Sequence, residues 1–119
     1  MKKLIVCSLA LSLVAFGAAP AFAVGSLAVG HGSHYGWAVN HATQAEADRA
    51  ALDACTGECE VVYQFENTCA AFAQEDGKDN GATGWAHADD KEAAQARALE
   101  ECNKRGSNCV IRVWGCDGQ

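Results

Sequence analysis

The chain is short of positive charge: nine Lys and Arg stand against fifteen Asp and Glu, a formal charge of -6 at pH 7. Nucleic acid and anionic membrane surfaces are bound through basic patches that release counterions, so this balance excludes both as expected partners. It admits a basic protein partner, and it equally serves to keep a small exported protein soluble. The sequence has no Cys-x-x-Cys pair, which argues against thioredoxin-like redox chemistry. Neither a serine nor an unpaired cysteine sits in a strand-to-helix elbow, so a nucleophile for acyl transfer is missing. No cofactor and no enzyme activity are expected. No apolar run reaches the roughly 20 residues that a bilayer span requires.

What is present begins with an export pattern. Lys2 and Lys3 form a charged start, 4–16 is apolar, and Ala21-Phe22-Ala23 is a small-x-small cleavage site, so residues 1–23 read as a signal peptide. A retained anchor is the minor alternative. No membrane insertion is expected after cleavage, and the location is periplasmic or secreted. Cys7 leaves with the signal, as do both lysines, which takes the formal charge from -6 to -8. Six cysteines remain in a domain small enough to need covalent help, and an even number in an exported chain predicts three disulfides.

Residues 24–34 read as a glycine-rich lead-in with a short opening strand at 26–29, and 35–119 as one domain made of two repeats, 35–74 and 82–116. Gly36-Trp37-Ala38 recurs as Gly84-Trp85-Ala86, Ala51-Leu52 as Ala98-Leu99, and Cys55, Cys59 and Cys69 as Cys102, Cys109 and Cys116. Two copies are too few for a solenoid, so they make a pseudo-symmetric unit. Strands are expected at 35–41, 59–66, 69–74, 82–87 and 109–114 from apolar alternation. Val62 breaks that alternation, which suggests a strand covered on both faces. Thr43-Gln44-Ala45-Glu46 is a capping box that starts the first helix, and Asp89 or Asp90 starts the second. Ala47, Ala50, Ala51 and Ala54 give the first helix a face of small side chains, able to lie close on a sheet. Gly57 and Gly106 stand past the helix ends. The fold class is α+β: an antiparallel sheet with two short helices packed on it, stapled by disulfides, with an internal pseudo-twofold duplication.

Six cysteines allow fifteen pairings. Repetition favours Cys55–Cys59 and Cys102–Cys109, each tying a helix end to the next strand, with Cys69–Cys116 joining the copies. The competing symmetric set joins Cys55 to Cys102 and Cys59 to Cys109. The order Tyr35 to Ala38, Ala47 to Cys55, Cys59 to Val62, Asn67 to Ala73 and Gly84 to Ala86 resembles the bacterial exported-domain family known as domain of unknown function 4189. That resemblance implies a small secreted or periplasmic domain and brings no catalytic residues.

Function is expected where the copies differ: the lead-in, the corner 103–108, and the acidic hairpin 75–81 with its Asp79-Asn80-Gly81 turn. Glu75, Asp76 and Asp79, with Trp114, are the candidate partner-binding residues of a non-catalytic module that recognises a protein partner, with inhibition of an envelope or secreted enzyme as one such role. Trp37 and Trp85 are assigned to the core because both copies keep them. An alternative is a metal or small-ligand site of His31, His34, His41 and His87, although solvated loop histidines are the simpler reading. A second is a glycan-acting enzyme using acidic residues, with Asp89 and Asp90 among them.

Overall fold

The computed structural model describes residues 23–118. The expected signal peptide lies outside the described residues except for Ala23. Eight elements follow: β1 (Val24–Gly30), β2 (Tyr35–His41), α1 (Gln44–Ala54), β3 (Cys59–Glu66), β4 (Cys69–Glu75), β5 (Thr83–Ala88), α2 (Lys91–Asn103) and β6 (Cys109–Cys116). They form two antiparallel three-stranded sheets, ordered β2-β1-β3 and β5-β4-β6. The architecture is α+β, with two sheets rather than one.

The opening strand expected at 26–29 is present as the longer β1, and it is the central strand of its sheet rather than part of a lead-in. β1 is buried along most of its length and is hydrogen-bonded on both sides, because the turn 31–34 folds it back on β2 and leaves its other edge to β3. β4 holds the same place in the second sheet. The structural repeat is strand, strand, helix, strand, and it begins one strand earlier than the cysteine spacing indicates.

Local chemistry starts each helix. Thr43 Oγ1 accepts from the Glu46 amide at 3.2 Å and Asp90 Oδ1 from the Ala93 amide at 2.8 Å, so Asp90 rather than Asp89 is the second cap. The Gly-Trp-Ala triplet has a packing explanation. A Cβ on Gly36 would lie 1.8 Å from the Ala51 carbonyl oxygen, and one on Gly84 would lie 2.4 Å from that of Ala98. Each helix backbone thus rests directly on the strand backbone. The alanine of the triplet faces the helix, in clusters built from Ala28, Ala38, Ala51 and Cys55 in one copy and Ala71, Ala94, Ala98 and Cys102 in the other.

The tryptophan of the triplet faces the opposite way, between the sheets. Tyr35 meets Phe72 at 5.2 Å between ring centroids and Tyr63 meets Trp85 at 6.4 Å, both contacts crossing from one sheet to the other. Phe72 and Leu27, both fully buried, supply the centre of this layer. The layer order is helix, sheet, sheet, helix.

Two sequence irregularities are β-bulges. The β1–β3 register shifts between Leu27 and Ala28, where Val62 is the extra residue, and the β4–β6 register shifts between Phe72 and Ala73, where Arg112 is. Val62 breaks the alternation for that reason, not because the strand is covered on both faces. A further shift on β2 makes Asn40, at φ 60°, an inserted residue of the first copy.

The disulfides are Cys55–Cys59, Cys102–Cys109 and Cys69–Cys116. The last does not join the copies. Cys69 and Cys116 are facing residues on β4 and β6, inside the second sheet, and their counterparts on the first are Val24 and Glu66. Sequence spacing misled because it aligned two cysteines that in fact face each other.

Two stability outcomes are expected. The bridges close 47, 4 and 7 residues, so chain entropy ranks them, and removing Cys69–Cys116 should cost about 4 kcal/mol against about 2 for either of the others in urea unfolding. Gly84→Ala, which drives a methyl to 2.3 Å from the Cys102 amide nitrogen, should lower stability by about 2–3 kcal/mol.

Candidate functional site

Strand direction sorts the loops to two ends of the sandwich. One end carries the β1–β2 and β4–β5 turns and both disulfide corners, so the three segments in which the copies differ form one surface. The two turns hold each other. Gly32 donates its amide to Asn80 Oδ1 at 2.8 Å, Ser33 Oγ donates to the Lys78 carbonyl at 3.0 Å, and Gln74 Nε2 donates to the Ser33 carbonyl at 3.2 Å. Arg112, the bulge residue of β6, donates to Gln74 Oε1 at 3.2 Å and to Asp76 Oδ1 at 3.3 Å. The Asp76 amide donates to the Asn108 carbonyl at 3.0 Å, which ties in the α2–β6 corner.

The charge of this end is set by what remains unpaired. Glu75 is buried, accepts from the Ala82 amide at 2.8 Å and pairs with Lys78 at 3.4 Å. The Ala82 hydrogen bond, aided by Lys78, holds its carboxyl below the ordinary carboxylate range. Asp76 pairs with Arg112. Glu58, Glu60 and Asp79 are exposed and make no ion pair among the described residues; against them stands Arg105, which donates to the Thr83 carbonyl at 3.1 Å, so the balance of the end is acidic. Two grooves flank the histidine turn. One of about 370 Å³ runs past His31, Glu58 and Glu60, and one of about 230 Å³ lies between the turns, past Ser33, His34 and Asn80.

Not every predicted residue is here. Glu75 is buried as a structural post of the hairpin. Trp114, 44% exposed, stands on the helix side of β6, with the Lys91 ammonium 4.9 Å from its ring centroid. His31 and His34 lie on the loop end, whereas His41 and His87 lie toward the other, about 20 Å away by the rise of a seven-residue strand. The four do not converge, and among the described residues no three His, Cys, Asp or Glu side chains are grouped to hold a metal ion. Asp89 and Asp90 are likewise at the far end from Asp76 and Asp79. Ser33 and Arg112 carry no sequence signal, because the role of Ser33 comes from a contact between copies and that of Arg112 from strand pairing within the second copy. The Asp79-Asn80-Gly81 turn signal was the one legible hint, and Asn80 does adopt φ 58°.

The family model described as a domain of unknown function, DUF4189, matches residues 24–116. The chain belongs to this family. No curated protein and no solved structure matches it. The matched span opens on β1 and closes on Cys116, so both copies together make the DUF4189 domain. Three disulfides are compatible with an extracellular or periplasmic location; among the described residues no helix is long and apolar enough to cross a membrane.

Just past the DUF4189 span, Asp117 clasps the two copies together. It is 1% exposed, accepts from the Asn40 amide at 2.6 Å through Oδ1, and donates its own amide to the Thr68 carbonyl at 2.8 Å. Its Oδ2 has no partner among the described residues. Burial raises the carboxyl above the ordinary value, so the folded state favours the protonated form. The stability this group contributes is full below its unfolded pKa and is lost as pH rises through the folded one. Asp117→Asn, which can keep the Asn40 hydrogen bond, should therefore raise the melting temperature at about pH 7 and lose that advantage at about pH 3.

Proposed function

We propose that the protein is an exported, non-catalytic binding module that docks through its acidic loop end onto a basic protein partner, an enzyme of the envelope or one secreted beside it. The observation that carries this reading is the convergence of the histidine turn, the acidic hairpin and the longer corner onto one rigid surface. These are the segments that the duplication did not keep alike, and hydrogen bonds between copies pre-order them before any partner arrives. Unpaired Glu58, Glu60 and Asp79 supply the charge that steers a basic partner. The export pattern of 1–23 and the disulfide framework support a periplasmic or secreted location.

The test is capture from envelope and secreted fractions with the folded protein, beside a Glu58→Lys, Glu60→Lys, Asp79→Lys triple variant and a Glu92→Lys control at the far end. A partner retained by wild type and control, released at about 0.5 M salt and missed by the triple variant is the expected result. Equal retention by the triple variant, or no partner above background at low salt, would count against the reading.

A further inference from the structure

The pseudo-twofold relation creates two equivalent places where an edge strand of one sheet faces an edge strand of the other: β2 against β6, and β3 against β5. They have diverged. The first is shut. A Cβ on Gly115 would lie 2.9 Å from Val39 Cγ1 and 3.1 Å from Trp37 Nε1, and the edge is sealed by the Asn40 amide to Asp117 Oδ1 bond and by Tyr35 Oη to the Arg112 carbonyl at 3.4 Å.

The second is open. Register places Phe65 where Gly115 stands, Tyr63 where Val113 stands and His87 where Val39 stands. Between β3 and β5 lies a cleft of about 230 Å³, lined by Tyr63, Gln64, Phe65, Glu66, Thr68 and His87. The Tyr63 hydroxyl and His87 Nδ1 share a hydrogen bond across its floor, with the two rings stacked at 6.0 Å. Burial raises the Tyr63 hydroxyl above its ordinary pKa, so the floor stays a neutral phenol.

The lining holds one carboxylate, the exposed Glu66, and no Lys or Arg. Thr68 Oγ1 donates to the Ala88 carbonyl at 2.9 Å, and Gln64 Nε2 donates to Asp48 Oδ2 at 2.8 Å. Arg97 donates to the His87 carbonyl at 3.0 Å and does not line the cleft. Two donors are thus already used on the protein itself, and the cleft offers aromatic surface, acceptors and a negative charge. A cavity of roughly 150 Å³ admits a benzene ring, so this one has room for a ring with a short arm.

We infer that the β3–β5 cleft is a binding site for a small organic cation with a flat apolar body, an arylalkyl-ammonium in chemical class, its ring against Tyr63 and its ammonium at Glu66. Packing of the ligand's ring against Tyr63 and attraction of its ammonium to the Glu66 carboxylate act together there. The site lies away from the loop end, so its success or failure is independent of partner docking.

Benzylammonium chloride is the probe, titrated into the folded, disulfide-bonded protein and followed by NMR. Saturable shifts of the Tyr63, Glu66 and His87 signals are expected, with a dissociation constant of about 1 mM. Benzyl alcohol, of like shape and no charge, should bind about fivefold more weakly, and Glu66→Gln should bring benzylammonium down to that level. Glu46→Gln, an exposed carboxylate outside the cleft, should change nothing. Equal affinity for the alcohol, undiminished binding by Glu66→Gln, shifts that map to the loop end, or a failure to saturate would each overturn the inference.

Discussion

The contact on which the rest depends is backbone against backbone, between each helix and the strand beneath it. Gly36 and Gly84 admit the Ala51 and Ala98 carbonyls to distances that no side chain would tolerate. Small residues must follow on both sides of that contact, and alanine supplies them. An alanine layer buries little apolar area per residue, so the two outer cores are thin. Disulfides at the helix ends, Cys55–Cys59 and Cys102–Cys109, compensate by restricting the unfolded chain at those corners. The larger buried apolar side chains, Phe72, Leu27 and Phe65, belong instead to the middle layer, where aromatic residues from both sheets meet.

A duplicated scaffold of this kind separates what is shared from what is free to change. Caps, triplets, helix faces and corner disulfides recur because each copy needs them to close its own helix onto its own sheet. Elsewhere the copies differ by insertion and by substitution. Asn40 adds a bulge to β2 and gives Asp117 an amide to hold; Arg112 takes the bulge position of Val62 and braces the acidic hairpin. Under α1 a polar group of Ser26, Gln44, Asp48 and Gln64 is hydrogen-bonded together, and the register sets Ala71, Lys91, Gln95 and Trp114 in the matching places of the second copy. The exposed Trp114 under Lys91 is thus the counterpart of a satisfied polar network.

The loop end and the β3–β5 cleft were legible to different degrees. The acidic hairpin stood out as a charged run with turn chemistry, and the sequence pointed to it directly. Its convergence with the His31–His34 turn was not legible, because the opening strand expected at 26–29 gave no sign of its place at the centre of a sheet. Glycine-rich and short, β1 shows its character only when flanked on both sides. The cleft was harder still. His87 was visible as a candidate imidazole, but Tyr63 belongs to the other copy and the two face each other only across the gap between sheets.

By itself the sequence determined what short-range physics controls: a helix start at Thr43 and a second at Asp89 or Asp90, strand alternation, the small-residue helix faces and the disulfide-bearing corners. It also showed the duplication, since matched triplets and cysteines survive as spacing. The tertiary structure decided the rest. Whether β1 belongs to the core, whether Cys69 and Cys116 join copies or strands, and which histidines are neighbours all depend on strand pairing. Pairing is a competition among long-range hydrogen-bonded partners, settled by the packing of both faces at once, and no local pattern in the chain encodes the winner.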